Sequence, residues 1–401
     1  MAFDSEHQFR AGRYVKQLQG YRAFIPAPLP PEPPVGMADA MWQVLSRADR
    51  ALGRLDGMTE TLPNPDLFVA MYVRKEAVLS SQIEGTQASL IDVLEFEANA
   101  ADAGRAADVE EVVNYIAAMN HGLRRLETLP VSLRLIREIH RILLTGVRGG
   151  DRTPGEFRSS QNWIGADGST IANARFVPPP PSDMKAALDN LENFIHADVL
   201  MPALIRLGLV HGQFETIHPF LDGNGRVGRL LVTFLLCESG ILQRPLLYLS
   251  HYFKVNRSEY YDRLQAIRDK GDWEGWLRFF LEGIAEVAKE ATDTARAILN
   301  LREEHRELVT RRFGRAAGNA LRLLEHLYQQ PIVTVHLAGS LTGLSFARAN
   351  DLVAEFEQAG ILSEITGRRR NRRFGYSSYL DILNEGDAVA ESRLDEIRPP
   401  T

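Results

Sequence analysis

The sequence predicts a mainly α fold, interrupted by one short β-hairpin in mid-chain and closed by a small module of helices and paired strands. Three observations carry that expectation. Apolar residues recur at helical spacing through most of the 401 residues. Turn formers concentrate in one internal stretch, GGDRTPGEFRSSQNWIGADGSTIANARFVPPPPS at 149–182. Near the C-terminus, short apolar runs flank a basic turn.

The elements follow in order. Residues 24–35, FIPAPLPPEPPV, hold prolines at a density that favours an extended arm over helix or sheet. From about 38 to 125 the pattern is helical: Met41, Val44, Leu45, Ala48 and Leu52 form one stripe. Phe68, Met71, Tyr72, Lys75, Val78 and Leu79 mark a second helix running to Ile83, with Gly85 as its stop. Residues 130–148 place Leu133, Ile136, Ile139, Leu143 and Leu144 inward, and 149–182 read as a loop with a hairpin turning near Gly165–Gly168. Helices resume over 184–198 and 201–217, from about 224, and over Asn256–Leu281 with a turn at Lys270–Asp272; a long helix then runs through about 312. Residues 317–376 give helices around a turn at Gly343, a helix Ser345–Gln358, then strand, turn and strand, with Arg368, Arg369, Arg370, Arg372 and Arg373 in that last turn. The polar, acidic residues after about 382 are expected to be disordered.

Composition narrows the function. Apolar residues make up 45% and charged residues 24%, which excludes wholesale disorder. A net charge of −6 argues against a surface that coats nucleic acid or anionic membrane throughout. The single cysteine, Cys237, excludes a disulfide framework or cysteine-based zinc cluster, fits a reducing compartment, and reads as a small core residue. The N-terminal MAFDSEHQFRAGRYVKQ has no hydrophobic signal core, and no apolar run approaches the ~20 residues needed to span a bilayer. A soluble, cytoplasmic protein is the expectation.

The most informative stretch is His218–Arg229, HPFLDGNGRVGR. Gly223, Gly225 and Gly228 match a dinucleotide fingerprint by spacing. That reading fails, because a helical pattern precedes the glycines and residues 246–250 carry no acid. No Gly-Lys-Ser/Thr follows, which removes a Walker loop. Glycines at the mouth of a helix still let N–H groups converge on an anion. Arg226 and Arg229 emerge on one face, and two guanidinium groups beside such a nest suit an oligophosphate. Asp222 at the loop edge can hold the Mg2+ that accompanies a nucleotide. His218 is the candidate general base for an attacking hydroxyl.

HPFLDGNGRVGR resembles the signature of the Fic family, H-x-F-x-[D/E]-G-N-G-R-x-x-R, without departures. The resemblance implies a Fic-type helical core and transfer of AMP from ATP to a Ser, Thr or Tyr hydroxyl of a target protein, itself included. It implies His218 as the base, Asp222 as the ligand of Mg2+, Gly223, Asn224 and Gly225 as the anion hole, and Arg226 and Arg229 on the β- and γ-phosphates. Val227 and Gly228 fall within the same ATP site. The hairpin corresponds to the family's flap, with Ile164, Gly165, Ala166 and Asp167 beside the nucleotide. Tyr260 and Tyr261 match paired tyrosines of the adenine pocket, while the asparagine some relatives place one turn on is absent at Arg268 and Asp269. Upstream, Ser80, Glu84 and Gly85 in SSQIEGT resemble the inhibitory motif [S/T]-x-x-x-E-[G/N], in which the glutamate pairs with the second motif arginine, here Arg229. A glutamate so placed could instead align water and remove AMP from a modified protein.

Residues 301–380 carry twelve arginines against eight acids, and their pattern resembles a winged helix-turn-helix. A DNA-reading role through 317–376, with the nucleotide site as a sensor, is the competing class; protein docking or homodimerisation is preferred. The implied organisation is 1–128, a helical region with the proline-rich arm and the inhibitory helix; 129–300, the Fic core; 301–380, the winged-helix-like domain; and 381–401, a flexible tail.

Overall fold

The computed structural model describes residues 10–61, 65–98, 107–166, 168–368 and 370–384. Asp167, Arg369 and the tail 385–401 therefore lie outside the described residues.

The first element was not expected from the sequence. Strands β1 (Gly12–Lys16) and β2 (Arg22–Pro26) form an antiparallel hairpin with Gly12 opposite Pro26. Only glycine fits at position 12, where φ is +138° and an added Cβ would lie 2.3 Å from the Ile25 carbonyl. Strands this short are held by tertiary contact: Phe24 is fully buried, and its N–H donates to the Val177 carbonyl at 2.9 Å. The proline-rich segment beyond has neither helix nor strand. Gln213 donates to the Ala27 carbonyl and Asn190 accepts from Leu29 N–H, both at 2.8 Å. Arg10 forks onto Glu274 at 2.9 Å, and Gly36 N–H adds a third donor to that carboxylate at 2.6 Å, so the arm is pinned across the body.

Helices α1 (Asp39–Thr61), α2 (Pro65–Ile83), α3 (Leu90–Ala98), α4 (Ala107–Arg125) and α5 (Leu133–Leu144) precede the irregular stretch. Helices α6 (Pro181–His196), α7 (Ala203–Ile217), α8 (Asn224–Glu238), α9 (Ser250–Val255), α10 (Arg257–Lys270) and α11 (Trp273–Arg312) follow it. Gly271 ends α10 in the left-handed region, and the Asp272 carboxylate caps α11 by accepting from Gly275 N–H at 2.9 Å. The break expected near Leu281 does not occur. The one glycine there, Gly283, sits in helix where an added Cβ would meet the Tyr252 ring at 2.5 Å, so α11 runs unbroken for 40 residues.

Helices α7 and α8 are buried almost all round, which is the mark of central helices. Close approach is bought by glycine: Gly122 of α4 faces the Phe234 ring at 2.2 Å, and Gly208 of α7 faces Leu277 at 2.6 Å, each measured from an added Cβ. Cys237 is half-buried on the last turn of α8, and burial pushes its thiol up to about 12, away from nucleophilic use.

Among the described residues of 149–182, the expected hairpin reduces to a single antiparallel bridge, Ile164 to Phe176, with bonds of 2.8 and 3.0 Å. The residues between fold on themselves. The Asn173 side chain accepts from Thr170 N–H at 2.7 Å, and such local bonds compete with a strand ladder.

The C-terminal module runs α12 (Ala317–Leu327), β3 (Ile332–Thr334), α13 (Val335–Thr342), α14 (Phe346–Gln358), β4 (Ser363–Glu364) and β5 (Arg373–Gly375). Its antiparallel sheet has the order β3-β5-β4. It docks on the N-terminal helices: Arg373 pairs with Glu95 at 2.9 Å, and Lys75 Nζ donates to the Leu383 carbonyl at 2.8 Å. Among the described residues no helix is long and apolar enough to cross a membrane.

Candidate active site

Helix α7 ends at Ile217, and His218 takes a left-handed backbone with φ 49° and ψ 61°. The following loop is rigid. Phe220 is fully buried and stacks on the His140 ring at 3.6 Å, while the Asn224 side chain bonds both the N–H (2.8 Å) and the carbonyl (2.9 Å) of Phe220. His140 Nδ1 accepts from Gly155 N–H, so its Nε2–H donates to the Asp222 carbonyl at 3.1 Å. Burial lowers the His140 pKa to about 4, which keeps that ring neutral. Gly223, with φ 76°, then opens α8.

A cavity of about 940 Å³ lies at this helix mouth. Of the residues singled out from sequence, Glu84, Ile164, Gly165, Ala166, His218, Gly225, Arg229, Tyr260 and Tyr261 line it. Asp222, Gly223, Asn224, Arg226, Val227 and Gly228 form the loop and helix around its mouth and do not appear in its wall. Arg226 is 1% exposed and held between Glu111 at 3.4 Å and Asp222 at 3.6 Å. Val227 is core.

Arg229 is the most tightly held cation of the site. Its Nε donates to Ser80 Oγ at 2.8 Å, and a terminal nitrogen donates to the Ser80 carbonyl at 3.0 Å and to Glu84 at 2.7 Å. Gly225 makes room for that carboxylate: an added Cβ would lie 2.3 Å from Glu84 Oε1. Gly85, with φ +98°, turns the chain away at once. Burial works against ionised Glu84, but the Arg229 guanidinium prevails and holds its carboxyl below the usual range.

Arg175, Arg257 and Arg268 add further cations to the cavity wall, whereas its histidine and tyrosines are neutral. Burial, with the Arg268 and Arg158 cations behind it, lowers the His218 pKa to about 3. Its Nδ1 is buried without a hydrogen-bond partner. Tyr260 is fully buried against Phe253 and donates to His211 Nε2 at 2.9 Å, because His211 Nδ1–H is committed to the Gly228 carbonyl. Tyr261 is the more open member of the pair, with Arg257 over its ring at 5.5 Å. Glu215 also lines the cavity; burial pushes its carboxyl up to about 7 although Arg229 opposes this.

Sequence reasoning missed Glu111, His140, Arg158, His211, Glu215 and Arg268. Each acts through a partner distant in the chain or on another element, and none falls in a motif with its own spacing signal.

The site is therefore a half-buried neutral histidine beside a helix N-terminus, inside a helical fold. Residues 42–124 match the family model described as "Fic/DOC family N-terminal" and residues 130–236 the model described as "Fic/DOC family". Two proteins named "Protein adenylyltransferase Fic" are similar to it. That of Culex quinquefasciatus is 32% identical over 165 residues, 41% of this chain and 29% of the relative. That of Drosophila virilis is 32% identical over 171 residues, 42% of this chain and 30% of the relative. The chain thus spans less than a third of these relatives' own length. A crystal structure of a Fic family protein from Desulfovibrio desulfuricans G20 shares the fold, with a TM-score of 0.56 at 18% identity over 86% of this chain and 97% of that one.

Proposed function

We propose that the chain is a protein adenylyltransferase, moving AMP from ATP to a Ser, Thr or Tyr hydroxyl of a target protein and of itself. One observation carries the reading: His218, the N-terminal turn of α8 with Gly225 and Arg229, and the tyrosine pair share a single cavity. The helix terminus and Arg229 suit the phosphates, and the aromatic end suits the base. In the reaction the target oxygen bonds to the α-phosphorus, the bond from that phosphorus to the bridging oxygen breaks, and pyrophosphate leaves with the electron pair. His218 takes the hydroxyl proton. A neutral ring can do so, and its fixed place beside the helix mouth supplies orientation.

The residues fit a divalent cation. Asp222 is about two-fifths exposed, and Gly149 leaves open the space beside its Oδ2, where an added Cβ would come within 2.6 Å. One carboxylate beside substrate phosphates is a usual Mg2+ arrangement. Asp222 would hold the ion, which would offset phosphate charge.

The same geometry supports autoinhibition. The Glu84 carboxylate occupies the mouth of α8 and takes the guanidinium that a terminal phosphate requires. Incubation with labelled ATP and Mg2+ tests both readings. Glu84→Gly should incorporate more AMP than the unsubstituted chain, and His218→Ala should incorporate none. Equal labelling with and without Glu84 would refute the latch; label surviving His218→Ala would refute the base.

A further inference from the structure

The His218 turn is a weak point that the fold supports from outside. A left-handed backbone is uncommon for any residue but glycine, and the carbonyls at the end of a helix lack intrahelical partners. Two arginines from distant segments answer both problems. Arg268 of α10 is 7% exposed; it donates to the Glu215 carbonyl at 3.1 Å and to Thr216 Oγ1 at 3.4 Å. Arg158 is 2% exposed; it donates to the His218 carbonyl at 3.0 Å and the Ile217 carbonyl at 3.4 Å, and its own N–H donates to the Pro219 carbonyl at 2.9 Å. Both also hold the loop that covers the cavity. Arg158 donates to the Pro179 carbonyl at 2.6 Å, and the Arg268 guanidinium lies over the Phe176 ring at 3.8 Å, at the one bridge that closes that loop.

We propose that Arg158 and Arg268 are positioning residues for the base: a two-guanidinium clamp that fixes the backbone of 215–218 and ties the covering loop to the same point. The proposal rests on the reading of His218 as the base. Two planar forks suit this task, because Arg158 serves several carbonyls at once and Arg268 bonds a carbonyl and a hydroxyl while it stacks on a ring. The clamp places two cations beside an uncharged imidazole, and both disfavour its protonation. The other charged or titratable groups around the cavity are Glu84 from the turn after α2, Arg175 from the covering loop, Glu215 from α7, Arg229 from α8, and Arg257, Tyr260 and Tyr261 from α10, with Asp222 in the loop below.

Arg268 also lines the cavity, so a nucleotide contact is the rival explanation, and the test separates the two. The substitutions Arg268→Lys and Arg268→Gln, and separately Arg158→Lys, are made in the Glu84→Gly chain, and AMP transfer is followed against ATP concentration and pH. Arg268→Lys keeps the charge and loses the fork. Its kcat should fall roughly 10- to 100-fold, as for a misplaced base, with KM for ATP and the acid limb unchanged. Arg158→Lys should lower kcat in the same manner. Arg268→Gln should lower kcat and move the acid limb up by about one pH unit. The titration of His218, read from histidine labelled with 13C at the ring ε carbon and assigned with His218→Asn, should move with that limb. A loss confined to KM, an unchanged kcat in either lysine variant, or a His218 titration in Arg268→Gln that coincides with its parent's would overturn the clamp. If the Glu84→Gly parent transfers no AMP, the reading of the site fails, while the His218 titration still decides whether the clamp sets the state of the ring.

Discussion

Three carboxylates near Arg229 behave differently because their partners differ. Glu84 has the guanidinium itself, at 2.7 Å, and its folded pKa lies below the ordinary value. Its contribution to stability is present above the unfolded pKa and is lost as pH falls through that depressed value, so mild acid leaves the Glu84–Arg229 ion pair intact. Glu76, one turn before Ser80 on α2, is buried with Ser250 and Tyr115 as donors, and burial still pushes it up to about 7. Glu215 reaches about 7 with its Oε1 unpartnered. For Glu215 the sign reverses: between the unfolded value near 4.5 and about 7 the unfolded chain has released a proton that the folded chain keeps, so stability falls as pH rises through that window. Glu215→Gln should therefore raise the thermal midpoint at pH 8, by up to about 3 kcal/mol of stability, and leave it unchanged at pH 4. Equal effects at both pH values would refute this account. The Glu84–Arg229 contact was legible in the sequence because two short motifs name its ends. The state of Glu215 was not, since it depends on how α7 and α8 seal that side chain from water.

At the scale of elements, glycines set how closely helices approach, and caps set where they stop. Gly122→Ala would drive a methyl into the Phe234 ring, which α4 and α8 enclose, and overpacking of this kind costs about 1–3 kcal/mol. Urea unfolding should show that loss with an unchanged slope, and a neutral result would show that the ring can swing clear. Asp272→Ala removes the cap of α11 and should cost about 1 kcal/mol by the same measurement. The sequence marked the turn at Lys270–Asp272 but not the cap, which depends on the Asp272 side chain folding back onto Gly275 N–H. It marked the main helices too, where apolar stripes repeat over several turns. It did not mark β1 and β2, whose five-residue strands depend on Phe24 packing against the segment at 176–177. The hairpin expected at 149–182 was overstated for a related reason: turn formers locate a reversal but do not say whether a ladder or a side-chain-bonded loop fills it.

At the scale of the whole molecule, the net charge of −6 divides unevenly. The module's arginines lie partly on the turn between β4 and β5, where Arg368 and Arg370 are exposed. Helix α14 exposes Arg348 in its first turn and Asp351, Glu355 and Glu357 beyond it. The module docks on one surface of the chain, since Arg373 reaches Glu95 on α3, the helix that follows the turn bearing Glu84. Arg373→Glu would set two carboxylates against each other and should destabilise the chain by about 1 kcal/mol, with faster amide exchange across Leu90–Ala98. Glu95→Arg alone should act alike, and the double exchange should recover most of the loss, because the pair is restored in reverse. Additive losses in the double variant would mean that the two side chains do not interact in solution, and that other contacts between α3 and β3 dock the module.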